Sequence, residues 1–147
     1  MTAEQMWNEY VRLHPEAAAA EYDAWQYGAD ANELAQLTLS GIKTATASAL
    51  PLYEIEEEPL PEAGEYSVIL WDDDQAACII RTDAVYTVPF DCVSEEQAWR
   101  EGEGDRSLDY WRKVHRSFFA QEMADAGLEF TENMGVVCEE FSVVFPL

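Results

Sequence analysis

Apolar residues near the N-terminus recur at helical intervals, with Met6, Trp7, Tyr10 and Val11 on one face. Thr2 and Gln5 stand at capping-box spacing just ahead of them, and Pro15 closes the pattern. Residues 16–27 are Ala-rich and predict a second helix. Asp30 is placed to cap a short third helix, with Glu33 at its third position, Leu34 and Leu37 facing inward and Gly41 at the C′ site. The pattern then changes: residues 43–48, rich in Thr and Ala, read as a strand. Residues 51–64, acidic and punctuated by Pro51, Pro59 and Pro61, read as a surface loop.

Residues 66–71 and 76–88 predict two strands joined by the Asp72-Asp73-Asp74-Gln75 turn. Ser94 and Gln97 begin a short helix that stops at Gly102. Ser107 caps a long helix ending near Gly127, on which Leu108, Trp111, His115, Phe118 and Phe119 share a face. Residues 136–145 form a last strand, and no internal repeat is visible. Helices at the start and middle, separated by non-adjacent strands, predict a single α+β domain over residues 1–147. Its expected architecture is a small, largely antiparallel β-barrel with flanking helices, the N-terminal ones over about 2–39.

Composition supports folding and narrows the class. The 147 residues are 48% hydrophobic and include five Trp, seven Tyr and six Phe, so a net charge of −22 does not signal disorder. No apolar run approaches the length of a membrane span, and Met1-Thr2-Ala3-Glu4-Gln5 has neither the basic nor the apolar stretch of a secretory leader. Cys78, Cys92 and Cys138 share no C-x-x-C spacing, and reduced, partly buried thiols in a cytoplasmic protein are expected. A catalytic thiol would have only His14 and His115 as imidazole partners. Two histidines and scattered cysteines argue against structural zinc, and neither a metal nor a cofactor is expected.

The charge also bears on partners. A strongly negative surface repels long polyanions, so neither duplex nucleic acid nor a membrane is expected as a partner. Five of the eight basic residues (Arg100, Arg106, Arg112, Lys113 and Arg116) nevertheless fall within residues 100–116. That stretch is either a helix with i,i+4 ion pairs or a site for a few phosphates.

Two stretches carry candidate chemistry. In Gly41-Ile42-Lys43-Thr44-Ala45-Thr46, Lys43 is one of two lysines and follows a helix end, where partial desolvation makes it a usable base or a strong local cation. Residues 43 and 46 lie on opposite faces of a regular strand, so joint action needs a turn between them. The second stretch is Glu101-Gly102-Glu103-Gly104-Asp105-Arg106-Ser107, whose alternating glycines admit close backbone approach beside three carboxylates. Its flanking Glu residues do not suit a phosphate cradle, and its spacing is not that of an EF-hand.

Together these segments resemble the ASCH domain family, relatives of the PUA RNA-binding fold. The resemblance extends through residues 61–64, Pro89-Phe90, Leu108-Asp109-Tyr110-Trp111 and residues 141–145, and it is closest to stand-alone prokaryotic ASCH proteins. It implies a PUA-like barrel whose cleft binds RNA or a nucleoside. Some ASCH proteins hydrolyse the amide of N4-acetylcytidine, and others are ribonucleases for single strands. In the amidohydrolase type a Lys, a Thr three residues later and a downstream Glu form the catalytic group. Lys43 and Thr46 match the first two, Glu103 best matches the third, and Glu101 is its runner-up. Thr44, Glu101, Asp105, Arg106 and Ser107 are then the expected substrate contacts.

Three readings follow: a hydrolase of a modified nucleoside, an RNA-binding module or single-strand ribonuclease, and an acidic interaction protein without catalysis. The second would use the residue 100–116 cations and stack bases on Trp111 or Trp25. A neutral nucleoside suits the charge best.

Overall fold

In the structure, a computed structural model describing residues 1–146, Thr2 Oγ1 accepts from the Gln5 backbone N–H at 3.1 Å and Gln5 Oε1 accepts from the Thr2 N–H at 2.8 Å. This reciprocal cap starts α1 (Ala3–Leu13), whose buried face is Met6, Trp7 and Tyr10. Beyond Pro15 the expected second helix is absent. A single 3-10 turn at Pro15–Ala17 leads into strand β1 (Tyr22–Trp25). The alanines supply helix propensity but little to bury, whereas Tyr22 stacks on Trp7 with ring centroids 4.8 Å apart, so packing decides the outcome.

Helix α2 (Ala31–Leu39) follows Asp30, which sits in the left-handed region at φ 39° and makes no side-chain cap. Strand β2 (Ala45–Ala49) comes next. The loop expected over 51–64 begins instead as α3 (Leu50–Glu56), with Pro51 in the first turn, where its missing N–H costs nothing. Leu52 packs against the main core, which fixes this helix although none of its residues is fully buried. Strands β3 (Tyr66–Leu70) and β4 (Ala76–Pro89), helices α4 (Glu95–Glu101) and α5 (Leu108–Asp125), and strand β5 (Gly135–Phe145) complete the chain. Ser94 and Ser107 cap α4 and α5 as expected.

The five strands form one sheet in the order β1-β3-β4-β5-β2. The β3–β4, β4–β5 and β2–β5 pairs are antiparallel, and β1 adds to β3 in parallel. The fold is therefore α+β, but the barrel is not closed: among the described residues β1 and β2 are free edges without a ladder between them. At four and five residues these edge strands are short, and the space they leave open is the cleft described below. Strands β3 and β4 are apolar on both faces because α1 covers Val68 and Ile79 while α2 covers Ile69, Cys78 and Ile80. A third cluster gathers Trp111, Phe119 and Met123 of α5 against Phe90, Val136 and Cys138. Cys78 and Cys138 are buried free thiols, whereas Cys92 is exposed, contrary to expectation, on the 3-10 turn Phe90–Cys92. No described helix is long and apolar enough to cross a membrane.

Candidate functional site

The end of α2 sets the first functional side chain. Gly41 adopts φ 82°, and the Ile42 and Lys43 N–H groups both donate to the Leu37 carbonyl at 3.0 Å. The next residue is clamped from two sides: the Thr44 N–H donates to the Arg100 carbonyl at 2.7 Å, and the Thr44 carbonyl accepts from the Phe141 N–H at 3.0 Å. Lys43 thus lies in a turn ahead of β2, outside the strand alternation that would separate it from Thr46. Its side chain runs inward and is 1% exposed.

A lone ammonium so buried would be costly. Lys43 Nζ donates to Glu103 Oε2 at 3.2 Å, to the Glu101 carbonyl at 3.4 Å and to Glu101 Oε1 at 3.5 Å, and it stands 5.3 Å from the centroid of the Tyr27 ring. Gly102 lets α4 end here: it takes φ 74°, and a Cβ would come within 2.9 Å of the Ile42 carbonyl oxygen.

Glu101 is also 1% exposed, and its carboxylate meets three hydrogen-bond donors and the edge of the His115 ring. Oε1 faces Lys43 Nζ and, at 3.4 Å, His115 Nε2. Oε2 accepts from Trp111 Nε1 at 2.5 Å and from Gln97 Nε2 at 3.1 Å. Burial pushes this carboxyl up, but the Lys43 charge, His115 and the Trp111 N–H outweigh it and hold it at about 2. Gln97, itself 1% exposed, donates also to the Thr46 carbonyl at 3.2 Å and accepts from the Tyr86 hydroxyl at 3.1 Å. It ties β2 to the charged cluster. Glu103 is less enclosed, with 19% of its side chain exposed.

Lys43, Thr46, Glu101, Glu103 and His115 line one small pocket of about 80 Å³. Through the shared walls Tyr27, Thr46, Ala47 and Phe118 it adjoins a cleft of about 850 Å³ between the sheet edges. Trp25, Tyr53 and Phe118 give that cleft aromatic surface. Asp23, Glu56, Glu58, Glu65, Glu122 and Glu139 give it six carboxylates, and among the described residues no Lys or Arg lines it. Glu139 accepts from the Thr82 hydroxyl at 2.6 Å, and burial pushes its carboxyl up despite that bond.

Glu101, Glu103 and His115 bring their carboxylate oxygens and ring nitrogen within 4.8 Å of one another, and a cation is already among them, because Lys43 Nζ stands 3.5 Å from Glu101 and 3.2 Å from Glu103. In this arrangement the Lys43 ammonium already stands between the two carboxylates and supplies the positive charge.

Of the expected substrate contacts, Glu101 reaches the pocket and the others do not. Thr44 bonds the Arg100 carbonyl, Asp105 Oδ1 accepts from the Ser107 N–H at 2.9 Å, and Ser107 caps α5. Arg106 stacks on Trp99 at 3.7 Å and donates to the Trp99 and Ile42 carbonyls. These are loop-ordering contacts made within the chain. The arginines of residues 100–116 are likewise engaged: Arg100 with Glu96 and Glu140, Arg112 with the Asp91 carbonyl, and Arg116 with both oxygens of Glu132. Trp111, offered for stacking, is 2% exposed and committed to Glu101, whereas Trp25 does line the cleft. Burial pushes the Cys78 and Cys138 thiols up to about 12, far from the thiolate form.

Gln97, Tyr86 and Glu139 were not among the sequence candidates. Only the Gln97–Glu101 spacing of one helical turn hinted at the first. His115 read as part of an apolar stripe, and its polar role carried no sequence signal beyond its presence there.

The family model for the ASCH domain matches residues 23–145. None of the curated proteins matches the chain. Among solved structures, an ASCH domain from Lactobacillus crispatus JV V101 is similar at 34% identity and a TM-score of 0.91, over 96% of this chain and 92% of that one. Protein EF3133 from Enterococcus faecalis V583 is similar at 40% identity and a TM-score of 0.85, over 96% of this chain and 86% of that one. A hypothetical protein, PH0355, shares the fold at 16% identity and a TM-score of 0.54, over 84% of this chain and 97% of that one.

Proposed function

The chain belongs to the ASCH domain family, and on that premise we propose that it hydrolyses the amide of an N-acylated cytidine-type nucleoside in the cleft between β1 and β2. The observation that carries this reading is the buried Lys43–Glu103 pair, set in a pocket that shares Thr46 as a wall with a roomy, aromatic-sided cleft. A nucleoside fits the space, and its lack of phosphate suits a wall of carboxylates.

The two glutamates divide the work. Glu101, bonded by Lys43, Gln97 and Trp111 and held at about 2, is a poor proton acceptor and serves as the fixed counter-charge of the buried cluster. Glu103 is less enclosed and is the better proton carrier. Thr46 Oγ1 attacks the amide carbonyl and forms an ester, its proton passing to Glu103. The Lys43 ammonium stabilises the negative charge that develops on the carbonyl oxygen. Glu103 returns the proton to the departing exocyclic amine, and water then cleaves the ester to release the acid. The RNA-binding and ribonuclease reading has less support, because Arg100, Arg106, Arg112 and Arg116 are bound within the chain.

The test is release of cytidine and acetate from N4-acetylcytidine, followed by chromatography. Turnover by the wild type, with loss in Lys43→Met and Thr46→Val at unchanged circular dichroism, is expected. Absence of turnover in the wild type, or full activity in both variants, would overturn the assignment.

A further inference from the structure

His115 is a buried imidazole in which both ring nitrogens face oxygen. Nδ1 lies 2.9 Å from the Trp111 carbonyl, one turn back on α5, and Nε2 lies 3.4 Å from Glu101 Oε1. The ring is stacked on the Trp111 indole at 4.1 Å and 13°, and Phe119 closes on it edge-first at 5.6 Å, so packing on two sides holds it where both nitrogens face oxygen. A neutral imidazole carries one N–H and would set a lone pair against one of these oxygens. Only the doubly protonated ring turns an N–H toward both.

The charged and titratable groups around it come from four places. Glu101 lies at the end of α4, Glu103 in the loop between α4 and α5, Lys43 ahead of β2, and Tyr27 between β1 and α2, all lining the same pocket. With Lys43 and His115 both cationic, the two carboxylates are balanced. Without the imidazolium, one buried negative charge is left over. Lys43 Nζ and His115 Nε2 also compete for one atom, Glu101 Oε1, at 3.5 and 3.4 Å.

We infer that His115 is the second cation of this site and a positioning residue: its imidazolium takes up Glu101 Oε1 and so leaves Lys43 to Glu103 and the Thr46 pocket. Loss of that proton makes Lys43 the sole cation on Glu101 and draws it out of the working position. The direction of titration agrees, because burial pushes the imidazole down while Glu101 and Glu103 outweigh it and hold it above its ordinary range. The consequence for activity rests on the proposed amide hydrolysis. The charge state does not.

The experiment therefore has two arms. In His14→Gln protein, which leaves His115 as the one histidine, ¹⁵N NMR reads its protonation in the resting protein. An imidazolium pattern at neutral pH, titrating above the ordinary value of about 6.5, is expected. A singly protonated ring at pH 6.5 and above would overturn the inference whatever the substrate. Glu101→Gln should shift the midpoint down, and an unmoved midpoint would exclude the Glu101 pairing. In the second arm, kcat/KM for N4-acetylcytidine falls on the alkaline side with the same midpoint as the NMR titration. In His115→Gln, which keeps a donor but does not titrate, that limb disappears while KM is held. Persistence of the limb would overturn the positioning role. Absence of turnover in the wild type would instead count against the amidohydrolase reading, with the NMR arm still deciding the charge of His115.

Discussion

The Trp111 indole N–H points at Glu101 Oε2 across 2.5 Å, joining the first buried turn of α5 to the last residue of α4. One side chain thus serves both as core filler against Phe90 and as a donor that adds to the Lys43 charge and His115 in keeping a buried carboxylate ionised. Removing the donor alone leaves an oxygen short of a partner, at about 1–3 kcal/mol. Trp111→Phe should lower the unfolding midpoint by that amount, whereas Trp111→Ala adds a cavity and should cost about 3–5 kcal/mol. Equal losses in chemical denaturation would show that the hydrogen bond contributes nothing beyond packing.

Glu101 gives stability a defined pH dependence. Its carboxyl lies below the ordinary 4.5 in the folded protein, so the folded state binds fewer protons than the unfolded one in acid. The contribution is present in full above about pH 4.5 and is lost as pH falls toward 2. The shift from 4.5 to about 2 corresponds to roughly 3 kcal/mol. Urea titrations between pH 2 and 6 should show stability rising with pH in the wild type and a shallower rise in Glu101→Gln. Parallel curves for the two proteins would place the acid sensitivity elsewhere.

Gly102→Ala tests the joint that brings α4 to Lys43. Its φ of 74° and the 2.9 Å approach of a Cβ to the Ile42 carbonyl both oppose a side chain. The expected cost is about 1–3 kcal/mol, with a loss of turnover larger than the loss of stability because Ile42 carries Lys43. Gly127, also at positive φ but with nothing within 4 Å of a Cβ, is the control. Gly127→Ala should lose stability without loss of activity. Similar activity losses in both variants would refute the local effect.

Ligand affinity should respond to salt as the cleft's charge dictates. A neutral modified cytidine releases no counterions, so its dissociation constant should stay nearly flat between low and moderate salt. A short single strand would steepen the log–log slope by roughly 0.7 for each phosphate held. Calorimetric titration of both at two salt concentrations decides between them. Tight, steeply salt-dependent RNA binding with no nucleoside binding would favour the RNA module.

Local chemistry made much of this legible in the sequence. Thr2, Ser94 and Ser107 announce helix starts through the hydrogen bonds their side chains accept, and Gly41 and Gly102 announce ends through the φ values they adopt. Strand β1 was hidden because its four residues are held by Trp7 and by β3, contacts that no short window contains. Helix α3 was hidden because three prolines and a run of acids outweighed Leu50 and Leu52 in a local reading. At the site, pairing Lys43 with residues near 101–103 came from the family resemblance, since the chain itself sets them some sixty positions apart. The places of Gln97 and His115 depend on which way α4 and α5 turn their faces, and hydrophobic spacing alone does not distinguish a satisfied polar residue from a core one.

Among the described residues strand β2 has a single hydrogen-bonded neighbour, β5, and Thr46 stands opposite Glu139 in that ladder. On the ribosome these partners emerge in the opposite of a convenient order: the lysine segment is made early and the strand that pins it comes last. The nascent chain must therefore carry residues 43–49 without their sheet partner while α1, α2 and the β3–β4 hairpin already have one another. Competence arises in one late event, the docking of β5, so arrested chains ending before residue 135 should stay protease-sensitive at 43–49 and bind no nucleoside. Protection of that segment before β5 is made would show that it orders on its own.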